Sequence, residues 1–182
     1  MALTESTYLE LGSIAPNFEL LNTVNDQMEG LTHLKGEKGT AIFFICNHCP
    51  FVIHVMDELI RLGKDYADSG IRFIAISSNN VETHPQDGPE FMKAVGEKLG
   101  YPYLYDETQD VAKAYNAACT PDLYVFDADL KLTYHGQLDD SRPGNQLPVT
   151  GNDVRQALDC LIEQTTNTEP QKPSIGCGIK WK

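Results

Sequence analysis

The chain has 182 residues, with 14 Lys and Arg against 26 Asp and Glu, five Cys, and 41% hydrophobic residues. That length suits one domain with an appended arm, and that apolar share supplies a core, which excludes wholesale disorder. A formal charge of −12 argues against nucleic acid or an anionic membrane as partner, because like charges repel at long range.

The longest apolar stretch, Ala41 to Cys46, is far short of the ~20 residues a bilayer demands. Met1-Ala2-Leu3-Thr4-Glu5 lacks the basic start and apolar run of a secretory leader. The expectation is a cytoplasmic protein. In a reducing compartment five cysteines do not make a static disulfide framework, and an odd number fits one still less. Thiol chemistry or metal binding becomes the question.

In chain order, a strand is expected near Asn17 to Leu21 and a compact buried strand over Thr40 to Ile45. From Phe51 onward, Val52, Val55, Met56 and Leu59 recur at helical spacing, and Gly70 closes that element. Ile71 to Ile76 is a second strand, Pro89 to Leu99 a helix, Tyr103 to Tyr105 a short strand, and Asp110 to Ala118 a helix. Leu123 to Phe126 and Leu130 to Leu138 read as a hairpin turned at Asp127-Ala128-Asp129, and Asp153 to Ile162 as the last helix. Early βαβ units followed by a hairpin imply an α/β fold, a mixed central sheet with helices on both faces. The polar, proline-bearing run Thr165 to Pro173 divides a domain over 1–164 from a C-terminal arm over 165–182, expected to be flexible. Residues 170–182 carry Lys172, Lys180 and Lys182 and no acid, so the arm can dock weakly on its acidic body.

The sharpest feature is Cys46-Asn47-His48-Cys49-Pro50, between a buried strand and an amphipathic helix. A thiolate is the nucleophile, and the amides and dipole at a helix N-terminus favour it. Two cysteines three apart can close a small disulfide, one attacking and one resolving, although zinc sites use the same spacing. Proline fits the first helical position, where its missing N–H costs nothing. That makes Cys49 the N-cap and favours it as nucleophile with Cys46 as partner. The alternative, Cys46 as cap, puts Pro50 four residues in, where it removes the first helical hydrogen bond.

A C-x-x-C between a first strand and helix, followed by Cys119-Thr120-Pro121 before a hairpin, resembles the thioredoxin fold from about Ala15 to Gln164. The segment Pro89 to Tyr105 looks like the insertion of the redoxins. More specifically, F-I-C-N-H-C-P-F, A-C-T-P-D, G-Q-L-D-D-S-R-P and Q-K-P-S-I-G-C-G-I-K-W-K resemble a peroxiredoxin-like family within the alkyl hydroperoxide reductase/thiol-specific antioxidant superfamily. The resemblance implies a cis Thr120-Pro121 bond facing the cysteines and shaping a docking edge for substrate. It implies a thiol-disulfide oxidoreductase or a thiol-dependent peroxidase, acting on a disulfide or a peroxide and restored by an external thiol, with no cofactor.

Against the family pattern, no Pro-x-x-x-Thr-x-x-Cys string occurs here. Ile45 stands for the thioredoxin tryptophan, and Val52 occupies the peroxidatic slot. Phe43 or Thr40 stands where thioredoxin keeps a buried acid. The fold would bring Cys119 near Cys46 and Cys49. Cys177, on the arm, suits a resolving thiol that swings in. His48 can donate a proton or lower a thiolate's pKa. A rival reading takes Cys46, Cys49, Cys119, Cys177 and His48 as soft metal ligands. Cys160, His54, Trp181 and Tyr101-Pro102-Tyr103 read as structural, and Arg142 as a weak candidate for anion binding.

Overall fold

The computed structural model describes residues 3–182. Met1 and Ala2, which head the segment read as lacking a leader, lie outside the described residues. Strands β1 (Leu3–Glu5), β2 (Glu19–Asn22) and β3 (Gln27–Gly30) precede a single-turn helix α1 (Leu31–Leu34). Then follow β4 (Gly39–Phe44), α2 (Pro50–Asp65), β5 (Ile71–Ser77), a 3₁₀ turn (Pro85–Asp87), α3 (Pro89–Leu99) and β6 (Tyr103–Tyr105). The chain continues through α4 (Asp110–Ala114), β7 (Cys119–Thr120), β8 (Asp122–Asp127), β9 (Leu132–Gly136), α5 (Asn152–Glu163) and β10 (Ile175–Gly178).

The central sheet has the order β3-β2-β6-β5-β4-β8-β9. β4 pairs parallel with β5, and β5 with β6; the other four pairings are antiparallel. The expected mixed sheet is therefore present, with β5 at its middle and β4 beside it. Alternation along β4 divides the core in two. Ala41, Phe43 and Ile45 face α2, α3 and α5, whereas Ile42 and Phe44 face α1 and α4. On α2, Val52, Val55 and Leu59 are buried as the spacing predicts, Met56 is only half-buried, and Leu62 extends the stripe. The same face buries Glu58, which Arg61 and Arg155 neutralise, each at 2.6 Å. Gly151 must lack a side chain here, because it sits at φ +68° and a Cβ would lie 2.7 Å from Glu58 Oε1. No helix among the described residues is long and apolar enough to cross a membrane.

Two expectations need correction. α4 stops at Ala114, four residues early, because the backbone turns left-handed at Asn116, φ +54°. The C-terminal arm is not a free tail. Its strand β10 forms the centre of a second, three-stranded sheet, antiparallel to β1 on one side and to β7 on the other. What seats it is chiefly backbone pairing. Lys172 does reach Asp140 at 2.7 Å, but both groups are largely exposed, so that pair adds little. Beyond β10, Lys180 N–H donates to Asn79 Oδ1 at 2.8 Å, and Asn80 N–H donates to the Lys180 carbonyl at 2.7 Å.

Candidate active site: a thiol cluster at the head of helix α2

β4 ends at Phe44, and the chain turns through 45–49 into α2 with Cys49 as N-cap and Pro50 in its first turn. This is the register the sequence favours. The Thr120–Pro121 bond is cis, and Thr120 faces both thiols. Its hydroxyl lies 3.4 Å from Cys46 Sγ, and its carbonyl 3.2 Å from Cys49 Sγ. Cys177, opposite Thr120 in the β7–β10 pairing, brings its sulfur to 2.8 Å from Cys49 Sγ. That separation is longer than a covalent S–S bond of about 2.05 Å and puts the two sulfurs in direct contact.

The charge distribution follows from these contacts. Donation by the Cys46 thiol is the largest influence on Cys49, and it lowers that group's pKa to about 4 against the opposing cost of burial. The Cys177 thiol, the Val52 amide and Thr120 lower it further. The helix start acts here through its field, since no cap hydrogen bond of full geometry reaches the sulfur. Cys46 is pushed far above the ordinary thiol range, first because it donates to Cys49, then by burial and by the charge of Asp87. Cys177 is pushed up to about 12, by burial and by its bond to Cys49. Cys119 is raised by burial and then by Asp122, and its sulfur lies 3.6 Å from the Pro121 carbonyl. Within the cluster Cys49 is therefore the thiol whose pKa is lowered, while Cys46, Cys119 and Cys177 are raised.

Sequence reasoning missed the polar support of this loop. Asp87, in the 3₁₀ turn after β5, is fully buried. It accepts the Asn47 amide at 2.8 Å, the His48 amide at 3.2 Å, the His48 ring Nδ1–H at 2.5 Å and the Asn79 side-chain amide at 2.9 Å. A buried acid from another element therefore supports this loop, although positions 40 and 43 carry none. No motif marks it: His84-Pro85-Gln86-Asp87-Gly88-Pro89 reads as a bland turn. His48 is held between Asp87 and a stacked His84 ring, 4.8 Å away, and its Nε2 is buried without a partner. A second buried acid, Asp122, follows Pro121 and pairs with His135 at 2.8 Å.

The other expected residues sort plainly. Cys160 is buried in α5, outside the cluster. His54 bonds Ser141 at 2.8 Å, a structural role. Arg142 spends its donors on the Asp139 and Ser141 carbonyls and on Gln137, so little of it is left for an anion. Tyr103 is buried, but Trp181 is 45% exposed and is not a packing residue. Of the soft set named above, only Cys46 and His48 join a convergent group among the described residues, together with Asp87, their ligand atoms all within 4.8 Å. Asp87 already accepts four hydrogen bonds and Cys46 keeps its proton, so the group suits proton handling better than a metal. A large groove, about 550 Å³, is lined by Tyr8, Leu11, His135 and Pro173 and includes none of the cysteines.

A mixed sheet, a cysteine at the head of the helix that follows an interior strand, and a cis proline facing that cysteine define a thioredoxin-fold redoxin. The AhpC/TSA family profile matches residues 11–135, and this chain belongs to that family. It is 57% identical to an uncharacterized conserved protein from Geobacillus kaustophilus, covering 100% of this chain and 97% of that one, with TM-score 0.97. It is 40% identical to a hypothetical protein from Sinorhizobium meliloti, covering 98% of each chain, with TM-score 0.95. The thioredoxin domain of a thiol-disulfide oxidoreductase from Bacteroides vulgatus shares the fold at 19% identity and TM-score 0.61, over 83% of this chain and 99% of that one. No curated protein matches.

Proposed function

We propose that the protein is a thiol-disulfide oxidoreductase of redoxin type in which the Cys49 thiolate attacks a substrate disulfide. One observation carries this reading: the Cys49 sulfur lies at the N-cap of α2, 2.8 Å from the Cys177 sulfur and against Thr120 of the cis-proline loop, and its surroundings lower its pKa to about 4. The family and the redox proteins that share the fold support it. The pairing of β10 with the strand that ends at Thr120 supports a reading in which an extended substrate strand docks on this edge. Substrates are protein or small-molecule disulfides, an external thiol returns the protein to its reduced form, and the setting is the reducing cytoplasm.

A peroxidase needs donors aimed at the peroxide oxygens. Here Val52, fully buried and apolar, stands one turn into α2, and the family's threonine has no counterpart. The two chemistries separate in one experiment. Reduced protein is mixed in stopped flow with insulin, and separately with hydrogen peroxide. The proposal expects turnover of the disulfide with a thiol reductant and only slow thiol loss to peroxide. Rapid, stoichiometric loss of one thiol to peroxide, without disulfide turnover, would replace it with the peroxidase.

A further inference from the structure

Cys49 is 0% exposed. No disulfide in solution can touch its sulfur while the chain is arranged as described, so a covering segment must move. That segment is the C-terminal strand. β10 lies along β7, Cys177 opposite Thr120 and Gly178 opposite Cys119, with its own sulfur on Cys49. It therefore sits where an extended substrate carrying a cysteine would sit. The fit is close. A Cβ on Gly176 would fall 2.0 Å from the Thr120 carbonyl oxygen and 3.2 Å from Pro121 N, so only glycine lets the strand lie this near the proline loop.

The strand itself is anchored at both ends, by Ser174 and by Lys180, so what can give way lies in its edge pairing and in the segment before it. Among the described residues it pairs over three residues with β1 and two with β7. No residue from Leu161 to Pro173 is buried, so the segment that leads into it is tied down by little of its own packing.

Resting on the reading of Cys49 as the attacking thiolate, we propose that β10 is an internal occupant of the substrate-docking edge. A protein disulfide binds by taking its place, and the return of β10 brings Cys177 onto the mixed disulfide and expels the product. The steps balance. The Cys49 thiolate attacks one sulfur of R–S–S–R′, forming the Cys49–S–R bond and releasing R′–S⁻, which takes a proton. The Cys177 thiol then gives up its proton and attacks the Cys49 sulfur, breaking the Cys49–S–R bond and releasing R–S⁻. The substrate disulfide gains two electrons, and the Cys49/Cys177 pair loses two and becomes a disulfide. A dithiol reductant then restores both thiols. The strand exchange that delivers Cys177 is the same event that removes the substrate strand, so resolution and release are coupled. Cys46 then serves as donor to the thiolate rather than as the resolving thiol. The substrate class follows: an extended, strand-forming protein segment, with a small residue before its cysteine to match Gly176.

Two measurements test this. The first oxidises the full-length protein with one equivalent of insulin disulfide, blocks remaining thiols and maps the product by mass spectrometry. The inference expects Cys49–Cys177. A Cys46–Cys49 bond would overturn it while leaving the oxidoreductase reading intact, and absence of any disulfide involving Cys49 would overturn both. The second compares iodoacetamide labelling of Cys49 in wild type and Gly176→Val, with circular dichroism confirming a folded chain. Overpacking at this site loosens the strand, and labelling rises by about ten- to a hundred-fold. An unchanged or lower rate in the folded variant would show that β10 does not gate the thiolate.

Discussion

Replacing Cys46 with alanine removes the largest of the influences that hold Cys49 at about 4. A hydrogen bond to a charged group contributes about 1.5–3 kcal/mol, and about 1.4 kcal/mol corresponds to one pKa unit. The variant's Cys49 should therefore titrate about 1–2 units higher. It stays below an ordinary thiol, near ~8.5, because the Cys177 thiol, the Val52 amide and Thr120 are still in place. The assay is iodoacetamide trapping across the pH range, followed on the peptide that carries Cys49. The midpoint is the readout, not the absolute rate. A fall of ~4.5 units lowers intrinsic nucleophilicity about 100-fold at a Brønsted slope of ~0.45. At pH ~7 the larger thiolate fraction returns only about 30-fold, so wild-type Cys49 gains nothing in rate there. At pH ~5 the fraction is about 3,000 times that of an ordinary thiol, and the net gain is about 30-fold. Burial scales every rate alike and leaves the midpoint where it is. A midpoint unchanged in Cys46→Ala would refute the donor role of Cys46, and a wild-type midpoint near ~8.5 would refute the thiolate itself.

Asp87→Ala leaves four donors without their acceptor; unsatisfied buried groups cost about 1–3 kcal/mol each, and with partial rehydration a loss of about 2–4 kcal/mol is expected in urea unfolding. Phe44→Ala, at a side chain 1% exposed between the rings of Tyr115 and Tyr124, should cost about 3–5 kcal/mol, and a change under about 1 kcal/mol would mean that this half of the core is misassigned. For the reduced protein, the sign of the Cys49 linkage is fixed by its depressed folded pKa. Its contribution is fully present above the unfolded value of ~8.5 and is lost as pH falls toward about 4. Wild type should therefore gain on Cys49→Ser by up to about 1.4 kcal/mol per pH unit across that window, and a pH-independent difference would contradict it. The raised Cys46, Cys119 and Cys177 act in the opposite sense, stabilising below the unfolded pKa and ceasing to as pH rises above it.

Much of this architecture is legible in the sequence because its signals are local. The apolar run of β4, the helical spacing of Val52, Val55 and Leu59, and the Cys49-Pro50 pair each report on their own segment, and α3 spans the expected Pro89–Leu99. The chemistry of the site is only half local. That Cys49 caps α2 follows from proline's preference for the first turn. That Cys177 lies on Cys49, and that Thr120 faces both thiols, depends on partners far along the chain. β10 has two glycines in four residues and little strand propensity. It is extended because β1 and β7 pair with it from either side, which no window on residues 175–178 can reveal. Asp87 escaped for a related reason: an acid in a Pro/Gly turn reads as solvated, and only the chain fold closes the 46–49 loop over it.

The most direct test of the thiolate account uses Cys177→Ser protein, in which a mixed disulfide with substrate should accumulate because the strand no longer carries a thiol to break it. After a brief reaction with insulin and an acid quench, mass spectrometry locates the adduct. The account predicts a single adduct on Cys49; an adduct on Cys46 or Cys119, with Cys49 unmodified, would contradict it.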